Sequence, residues 1–135
     1  MASMPPSSTP RVLMTLGLFV FGMDALAYSE LQRKMDWRHG KSERHQARAA
    51  TQFLGPGEDA VSLTGTLVPE VQGSFASIAR LVEMADSGDN WPLTDGDGNV
   101  WGNFEIKAID QRLRSIMAGG KPRIVDFAID LVRVD

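Results

Sequence analysis

The sequence predicts an α+β protein whose main element is an antiparallel sheet with one helix packed on it. Two patterns carry this prediction. Apolar and polar residues alternate in several segments, most clearly at 61–67 and 123–134, which is typical of strands with one buried face. A single stretch, 75–88, repeats apolar residues every three or four positions, which is typical of an amphipathic helix.

Length and composition limit the possible classes of protein. The 135 residues suit one domain with one core, and 43% hydrophobic against 23% charged residues is ordinary for a globular chain. A net charge of −3 gives no reason to expect nucleic acid or a membrane as partner. Without cysteine there is no disulfide, thiolate nucleophile or cysteine zinc site. We expect 1–11 to be a flexible extension, rich in proline and serine, and 12–135 to be a single domain.

The first apolar run, residues 12–23, predicts a buried strand. An alternative is a secretory signal, because Arg11 precedes the run and the small residues 25–27 follow it. The run is shorter than the about 20 residues of a membrane-spanning helix, and Asp24 interrupts the supposed cleavage site. The strand is therefore the favoured interpretation.

Two further strands are predicted before the helix, separated by a polar segment. Residues 29–38 form the first, with alternate residues on one face, and the second begins at Val61. The residues expected on these faces are Leu31, Arg33, Met35 and Trp37 for the first strand, and Val61, Leu63, Gly65 and Leu67 for the second. Residues 39–50 contain almost no large apolar side chain, so we expect an exposed loop or arm at about 38–50.

The helix follows, with Ser74 as the residue that caps its start and Gly88 as the residue that ends it. Its predicted core face consists of Phe75, Ile78, Ala79, Val82 and Ala85. Because the chain offers no second long helix, we expect this face to pack on the sheet.

The remaining residues predict more strands. Residues 91–94 and 100–110 form a hairpin across a tight turn at 95–99, and 111–117 continue the extension. The last strand, 123–134, follows a glycine-rich turn. Its predicted inward residues are Val125, Phe127, Ile129 and Leu131, and its outward residues include Asp126 and Asp130.

No group of residues predicts catalysis, a cofactor or a metal site. The histidines, His39 and His45, both lie in the charged segment without an orienting partner. Residues 95–99 resemble part of a calcium loop, but positions six and twelve of such a loop would be Val100 and Ile106 rather than glycine and glutamate. A tight turn explains these residues better, and we do not expect an enzyme.

The segment 33–48 is basic, with six lysine or arginine residues against two acidic ones. A solvated loop is one interpretation. Nucleic-acid binding is another, but only Trp37 is available for stacking. A third is an arm that docks on acidic residues of a neighbouring copy. The candidate partners are Asp126, Asp130 and Asp135, or Asp86 and Asp89.

Several patches follow one another along the chain. They are MTLGLFVF at 14–21, YSEL at 28–31, WRH at 37–39, TQFLGP at 51–56, VSLTGTLVPEV at 61–71, WPL at 91–93 and FAIDLVRVD at 127–135. Together, in this order, they resemble the GpU tail proteins of contractile-tailed phages and the related R-type pyocins. The hexapeptide at 51–56 is the most specific of them. Residues 1 to about 11 fall outside the resemblance.

The resemblance implies a tail-tube-like β-sandwich or small barrel with one packed helix, assembled as a sixfold ring. It implies a structural role in the virion tail, after assembly in the host cytoplasm, near the baseplate. There a ripcord-like ring would link the tail tube with the hub, sheath-initiating and wedge proteins. A tail terminator at the head-proximal end is the alternative, and a secreted, processed protein is a more distant one.

We expect the ring interface to lie on the arm and the hexapeptide after it. The candidate interface residues are Trp37, Arg38, His39, Lys41, Arg44, Arg48, Thr51, Gln52, Phe53, Leu54, Gly55 and Pro56. Gly55 and Pro56 are expected to fix the bend where the arm ends. The three tryptophans, Trp37, Trp91 and Trp101, are expected in buried contacts rather than in a ligand site.

Overall fold

Seven strands and one helix make up the described part of the chain. A computed structural model describes residues 12–22, 26–44, 47–68 and 75–135. The elements are β1 (Val12–Leu16), β2 (Phe19–Gly22), β3 (Glu30–Arg44), β4 (Ala47–Leu67), α1 (Phe75–Ser87), β5 (Asn90–Asp95), β6 (Val100–Ile116) and β7 (Pro122–Arg133). The predicted extension 1–11, His45 and the predicted cap Ser74 lie outside the described residues.

The strands form a single sheet in the order β2-β1-β5-β6-β7-β4-β3, and every neighbouring pair is antiparallel. The sheet curls into a half-barrel that carries the one described helix. This confirms the predicted α+β class and the small-barrel alternative, because the described strands belong to one curled sheet and not to two facing ones. Strands β2 and β3 are the edges of this sheet.

The core lies on the inner face of the sheet, as the alternation predicted. In β7, Val125, Phe127, Ile129 and Leu131 are all buried, and Asp126 and Asp130 point away. The opposite side chains of β4 complete the same face, since Val61 pairs with Leu131 and Leu63 with Ile129. Period-two burial on neighbouring strands thus produces one continuous apolar surface.

Gly65 marks a place where the backbone crosses closely over this face. A Cβ atom built on Gly65 would stand 2.8 Å from the carbonyl oxygen of Ala27 and 3.0 Å from the Cα of Tyr28. The crossing segment is held by the amide of Ser29, which donates to the carbonyl of Thr64 at 2.8 Å. The position therefore has no room for a side chain.

The first apolar run is a hairpin and not the single strand predicted for 12–23. The chain turns at Gly17, whose φ of 59° suits glycine, and Leu18 is 96% exposed at the turn. The amide of Gly17 donates to the carbonyl of Pro92 at 2.9 Å. Met14 and Phe21 are nevertheless core residues, so the run is structural as the favoured interpretation required.

The helix lies where it was predicted, but its core face is rotated. Ile78, Leu81 and Met84 are buried, whereas Ala79 is exposed and Val82 is 39% exposed. The predicted face and the buried face both satisfy three- and four-residue spacing. The face with the larger side chains packs on the sheet, because this arrangement buries more apolar area. At the C-terminal end, Gly88 adopts the predicted left-handed conformation with φ of 73°.

The polar segment at 39–50 is not a loop. Strands β3 and β4 extend through it as one long hairpin. Strand β6 continues without a break to Ile116, in agreement with the extension predicted for 111–117. No helix among the described residues is both long and apolar enough to cross a membrane.

Candidate assembly interface

The arm is the part of the β3–β4 hairpin that extends past the body of the sheet. Pairing of β4 with β7 ends at Ala60 and Val132, so beyond this point β4 has only β3 as a described partner. We define the arm as residues 35–44 and 47–59. Every candidate interface residue predicted from the sequence lies on it.

The register of the arm brings the predicted residues together in pairs. Trp37 lies opposite Pro56, His39 opposite Phe53, and Lys41 opposite Thr51. Two basic positions, Arg44 at the end of β3 and Arg48 near the start of β4, lie toward the tip. The hexapeptide and the basic segment are therefore two strands of one element rather than a loop and its exit.

Gly55 does not end the arm, as the predicted bend required, but forms part of an irregularity within β4. The register shifts between Arg38, which pairs with Gly55, and His39, which pairs with Phe53, so that Leu54 is an extra residue. Gly55 has φ of 120°, a conformation that favours glycine. A bulge of this kind twists the hairpin and re-aims the side chains beside it.

Large apolar side chains on the arm are exposed. The exposed fractions are 47% for Met35, 56% for Trp37, 61% for Phe53 and 55% for Leu54. The prediction of a buried Trp37 is therefore wrong, because no described element lies against the arm beyond its base. The imidazole of His39 stands edge-on to the ring of Phe53 with centroids 5.5 Å apart. Clustered exposed aromatic residues are typical of protein interfaces.

An ion pair joins the two strands at the base of the arm. Arg33 Nε donates to Asp59 Oδ1 at 2.9 Å, and Nη2 donates to Oδ2 at 2.7 Å. Arg133 Nη1 lies 3.7 Å from the same carboxylate, and the Arg33 guanidinium stands 4.5 Å above the Trp101 ring. The hydrogen bonds from Arg33 hold the pKa of Asp59 below its usual value. Arg33 is thus engaged inside the fold and is not part of a free basic surface.

A second carboxylate anchors the C-terminal residue beside this base. Arg133 Nε donates to Asp135 Oδ1 at 2.9 Å, and the amide of Asn103 donates to the same oxygen at 3.1 Å. The arm base and this segment enclose a groove of about 310 Å³ whose walls include Trp37 and Glu58. The arm therefore leaves the body from a region fixed by charge-assisted hydrogen bonds.

Comparison with protein families identifies the family of the chain. The family model described as Phage P2 GpU matches residues 17–135. The chain belongs to the GpU family of phage tail proteins. The predicted resemblance is confirmed over nearly its whole length, including the hexapeptide on the arm of this GpU family member. A search of curated proteins finds no match.

Solved structures share the fold of this GpU family member at low sequence identity. A chain in the tail of an empty gene transfer agent particle, with C6 symmetry, has a TM-score of 0.57 at 12% identity, covering 96% of this chain and 95% of its own. The tube-terminating cap of the anti-feeding prophage has 0.55 at 12%, with coverage of 98% and 90%. A sheath/tube terminator of an extracellular contractile injection system has 0.51 at 9%, with 99% and 96%.

Three of the acidic residues considered as partners for the arm are already engaged within the GpU chain. Asp126 accepts two hydrogen bonds from Arg114, at 2.6 and 3.2 Å, and one from Thr66 at 3.0 Å. Asp130 accepts from the hydroxyl of Ser62 at 2.6 Å, and Asp135 is bound as described above. The Arg114 contacts lower the pKa of Asp126.

Residues 95–99 form a tight turn, as predicted. The carboxylate of Asp95 accepts hydrogen bonds from the amides of Asp97 and Asn99, each at 2.9 Å, and from Trp101 Nε1 at 3.1 Å. These bonds, the one from the Asn99 amide first, lower the pKa of Asp95. Its oxygens therefore serve the turn, and the part of this GpU chain that the structure describes contains no cluster of three or more potential metal ligands.

Proposed function

We propose that this chain is a structural, non-enzymatic component of a contractile phage-type tail and that it works as a ring of copies. Membership of the GpU family supports the role in the tail. The observation that carries the ring is the arm, which extends past the body of the fold and exposes Trp37 and Phe53. In an isolated monomer such side chains would gain nothing from exposure, whereas a neighbouring copy could bury them.

The two open edges of the sheet support a ring of repeating contacts. Strands β2 and β3 lie at opposite ends of the strand order, and each has one described neighbour. When the edge of one copy meets the opposite edge of the next, the contact is heterologous and repeats until the ring closes. The family resemblance implies six copies, and the C6 symmetry of the gene transfer agent tail is consistent with this number.

Burial supports a structural rather than a catalytic role. No polar or charged side chain among the described residues is fully buried, and His39 lies exposed on the arm. A general acid or base normally needs a fixed, partly dry site with a second group to orient it. The chain then acts through shape and surface chemistry alone, without a cofactor or metal.

We place the ring at the baseplate-proximal end of the tube, as the family resemblance implies. There it would link the tube with the hub, the sheath-initiating protein and wedge proteins in a ripcord-like role, in a virion tail assembled in the host cytoplasm. A tail terminator is the second candidate. Two structural neighbours, a tube-terminating cap and a sheath/tube terminator, favour it.

Binding to purified partners separates the two ends. The chain is immobilised and exposed in parallel to the baseplate hub and to the head-proximal completion protein of the same phage-type particle. We expect saturable binding to the hub alone. Binding to the completion protein alone would indicate that the ring lies at the head-proximal end. A chain that stays monomeric in the presence of either partner would contradict the ring itself.

A further inference from the structure

The arm carries positive charge that the fold does not neutralise. Arg38 and Lys41 are exposed, and neither forms an ion pair with a described residue. Along β3, Arg38 is next to the exposed Trp37, and Lys41 lies two residues beyond His39, which pairs with the exposed Phe53. The arm thus presents an apolar centre with a basic rim, which calls for a partner surface that is apolar and acidic.

Helix α1 presents a surface of this chemistry. Ala79 and Val82 are exposed there, on a face that the sheet leaves uncovered. Glu83, Asp86 and Asp89 follow at three-residue intervals on or just after the helix, and all three are exposed. Glu83 accepts one hydrogen bond from Arg80 at 3.2 Å.

The other acidic side chains proposed from the sequence are less available. Asp126 and Asp135 are bound to arginines of their own chain, and Asp130 accepts from Ser62. Breaking such bonds to engage the arm would cost about as much as the new pair contributes. The carboxylates of Asp86 and Asp89 accept no hydrogen bond from a described residue, so a new partner displaces only water.

The strand order separates these two surfaces along the sheet. The arm extends from the edge strand β3. Helix α1 lies nearest the central strand β6 and borders the β1–β2 hairpin on one side, where Arg80 and Met84 line a groove with Leu18. In a ring closed by opposite edges, the β3 side of one copy faces the β2 side of the next. The arm and the neighbour's helix are then brought to the same junction.

We propose that the arm of one copy packs against helix α1 of the adjacent copy. The aromatic centre of the arm covers Ala79 and Val82, and the basic rim meets Asp86 and Asp89. The partner that covers the exposed arm is thus a second copy of this chain. This inference rests on the ring of the proposed function and adds which surfaces touch.

Cysteine pairing between copies tests the contact directly. The chain has no cysteine of its own, so every cross-link joins two cysteines that were introduced at chosen positions. Protein carrying only Phe53→Cys is mixed with protein carrying only Val82→Cys and treated with a short bismaleimide. We expect a covalent dimer in the mixture at about tenfold the yield of either variant alone. The matched control replaces Val82→Cys by Asp110→Cys, an exposed position on β6.

Charge exchange provides a second, independent readout. Reversal by Arg38→Glu with Lys41→Glu should weaken association of copies by about tenfold or more in sedimentation equilibrium. Adding Asp86→Lys and Asp89→Lys to the same chain should restore most of this loss. The exposed Lys107→Glu is the control and should leave association unchanged.

The outcomes separate the two proposals. A parent protein that is monomeric at all concentrations, alone and with its tail partners, overturns the ring and this inference with it. A parent that forms rings without cross-linking Phe53→Cys to Val82→Cys above the Asp110→Cys control overturns only the inference. Cross-linking together with charge rescue supports both.

Discussion

Arg33 and Asp59 form a two-point ion pair where the arm leaves the sheet, with distances of 2.9 Å from Nε to Oδ1 and 2.7 Å from Nη2 to Oδ2. The pair is partly shielded, since the side chain of Asp59 is 12% exposed and that of Arg33 is 23% exposed. It also places the Arg33 guanidinium over the ring of Trp101. We expect the orientation of the arm relative to the body to depend on this contact.

Asp59→Asn should destabilise the fold by about 1–3 kcal/mol, because Arg33 would lose its charged acceptor in a partly buried position. Chemical denaturation at neutral pH measures the change. Asp110→Asn, at an exposed position, is the control and should change stability little. An Asp59→Asn protein as stable as its parent would show that the arm base does not depend on this pair.

Stability should fall in acid. The pKa values of Asp59, Asp126 and Asp135 are lowered in the folded state, each mainly by its arginine partner. Carboxylates of this kind stabilise the fold above the unfolded pKa of about 3.9, and the contribution disappears as pH falls through the lower folded pKa. Unfolding free energies measured from about pH 6 down to about pH 2 should therefore decrease, and less steeply for Asp59→Asn. A flat profile would contradict the assigned carboxylate contacts.

Gly65→Ala should destabilise the protein by about 1–3 kcal/mol, because the added methyl group would press on the backbone of Ala27 and Tyr28. Gly40→Ala is the matched control in a strand. Its Cβ would meet only the flexible side chain of Leu54 at 3.3 Å, so stability should change little. Thermal unfolding of both variants checks the difference, and equal effects would argue against the close crossing at Gly65.

Trp37→Ala should leave the stability of the monomer nearly unchanged but weaken assembly. The side chain is 56% exposed, so truncation removes few contacts within the chain, whereas a tryptophan at an interface hot spot contributes about 2 kcal/mol or more. Thermal unfolding and native mass spectrometry measure the two properties. Loss of monomer stability with intact assembly would show that Trp37 stabilises the fold of the monomer and not the contact between copies.

Charge reversal nearer the tip tests the basic character of the arm. Arg44→Glu together with Arg48→Glu should reduce ring formation and incorporation into tails while leaving the circular dichroism spectrum unchanged. Intact oligomerisation and tail assembly in this variant would show that assembly does not need the positive charge of the arm.

Much of the fold was predictable because its core strands are regular. Alternation in 123–134 correctly identified the buried face of β7, and the glycine and aspartate residues of 95–99 correctly identified a turn. The helix face was harder, since Val82 and Leu81 satisfy the same spacing and only packing on the sheet decides which is buried. The turn at Gly17 was missed because the apolar run continues on both sides of it.

The arm was identified from its polar composition, but its nature was not. Residues 39–50 lack the apolar alternation of a half-buried strand, so sequence patterns could not separate a strand from a loop. Trp37 was misassigned for the same reason, since an aromatic residue in an alternating segment normally indicates the core. The two-point pairing of Arg33 with Asp59 depends on a strand register that the sequence does not display.

Cryo-electron microscopy of an intact tail tests the central claim most directly. The account predicts a ring of six copies around the baseplate-proximal end of the tube, with the arm of each copy lying against its neighbour. A chain bound as isolated single copies, or absent from both ends of the tail, would contradict it.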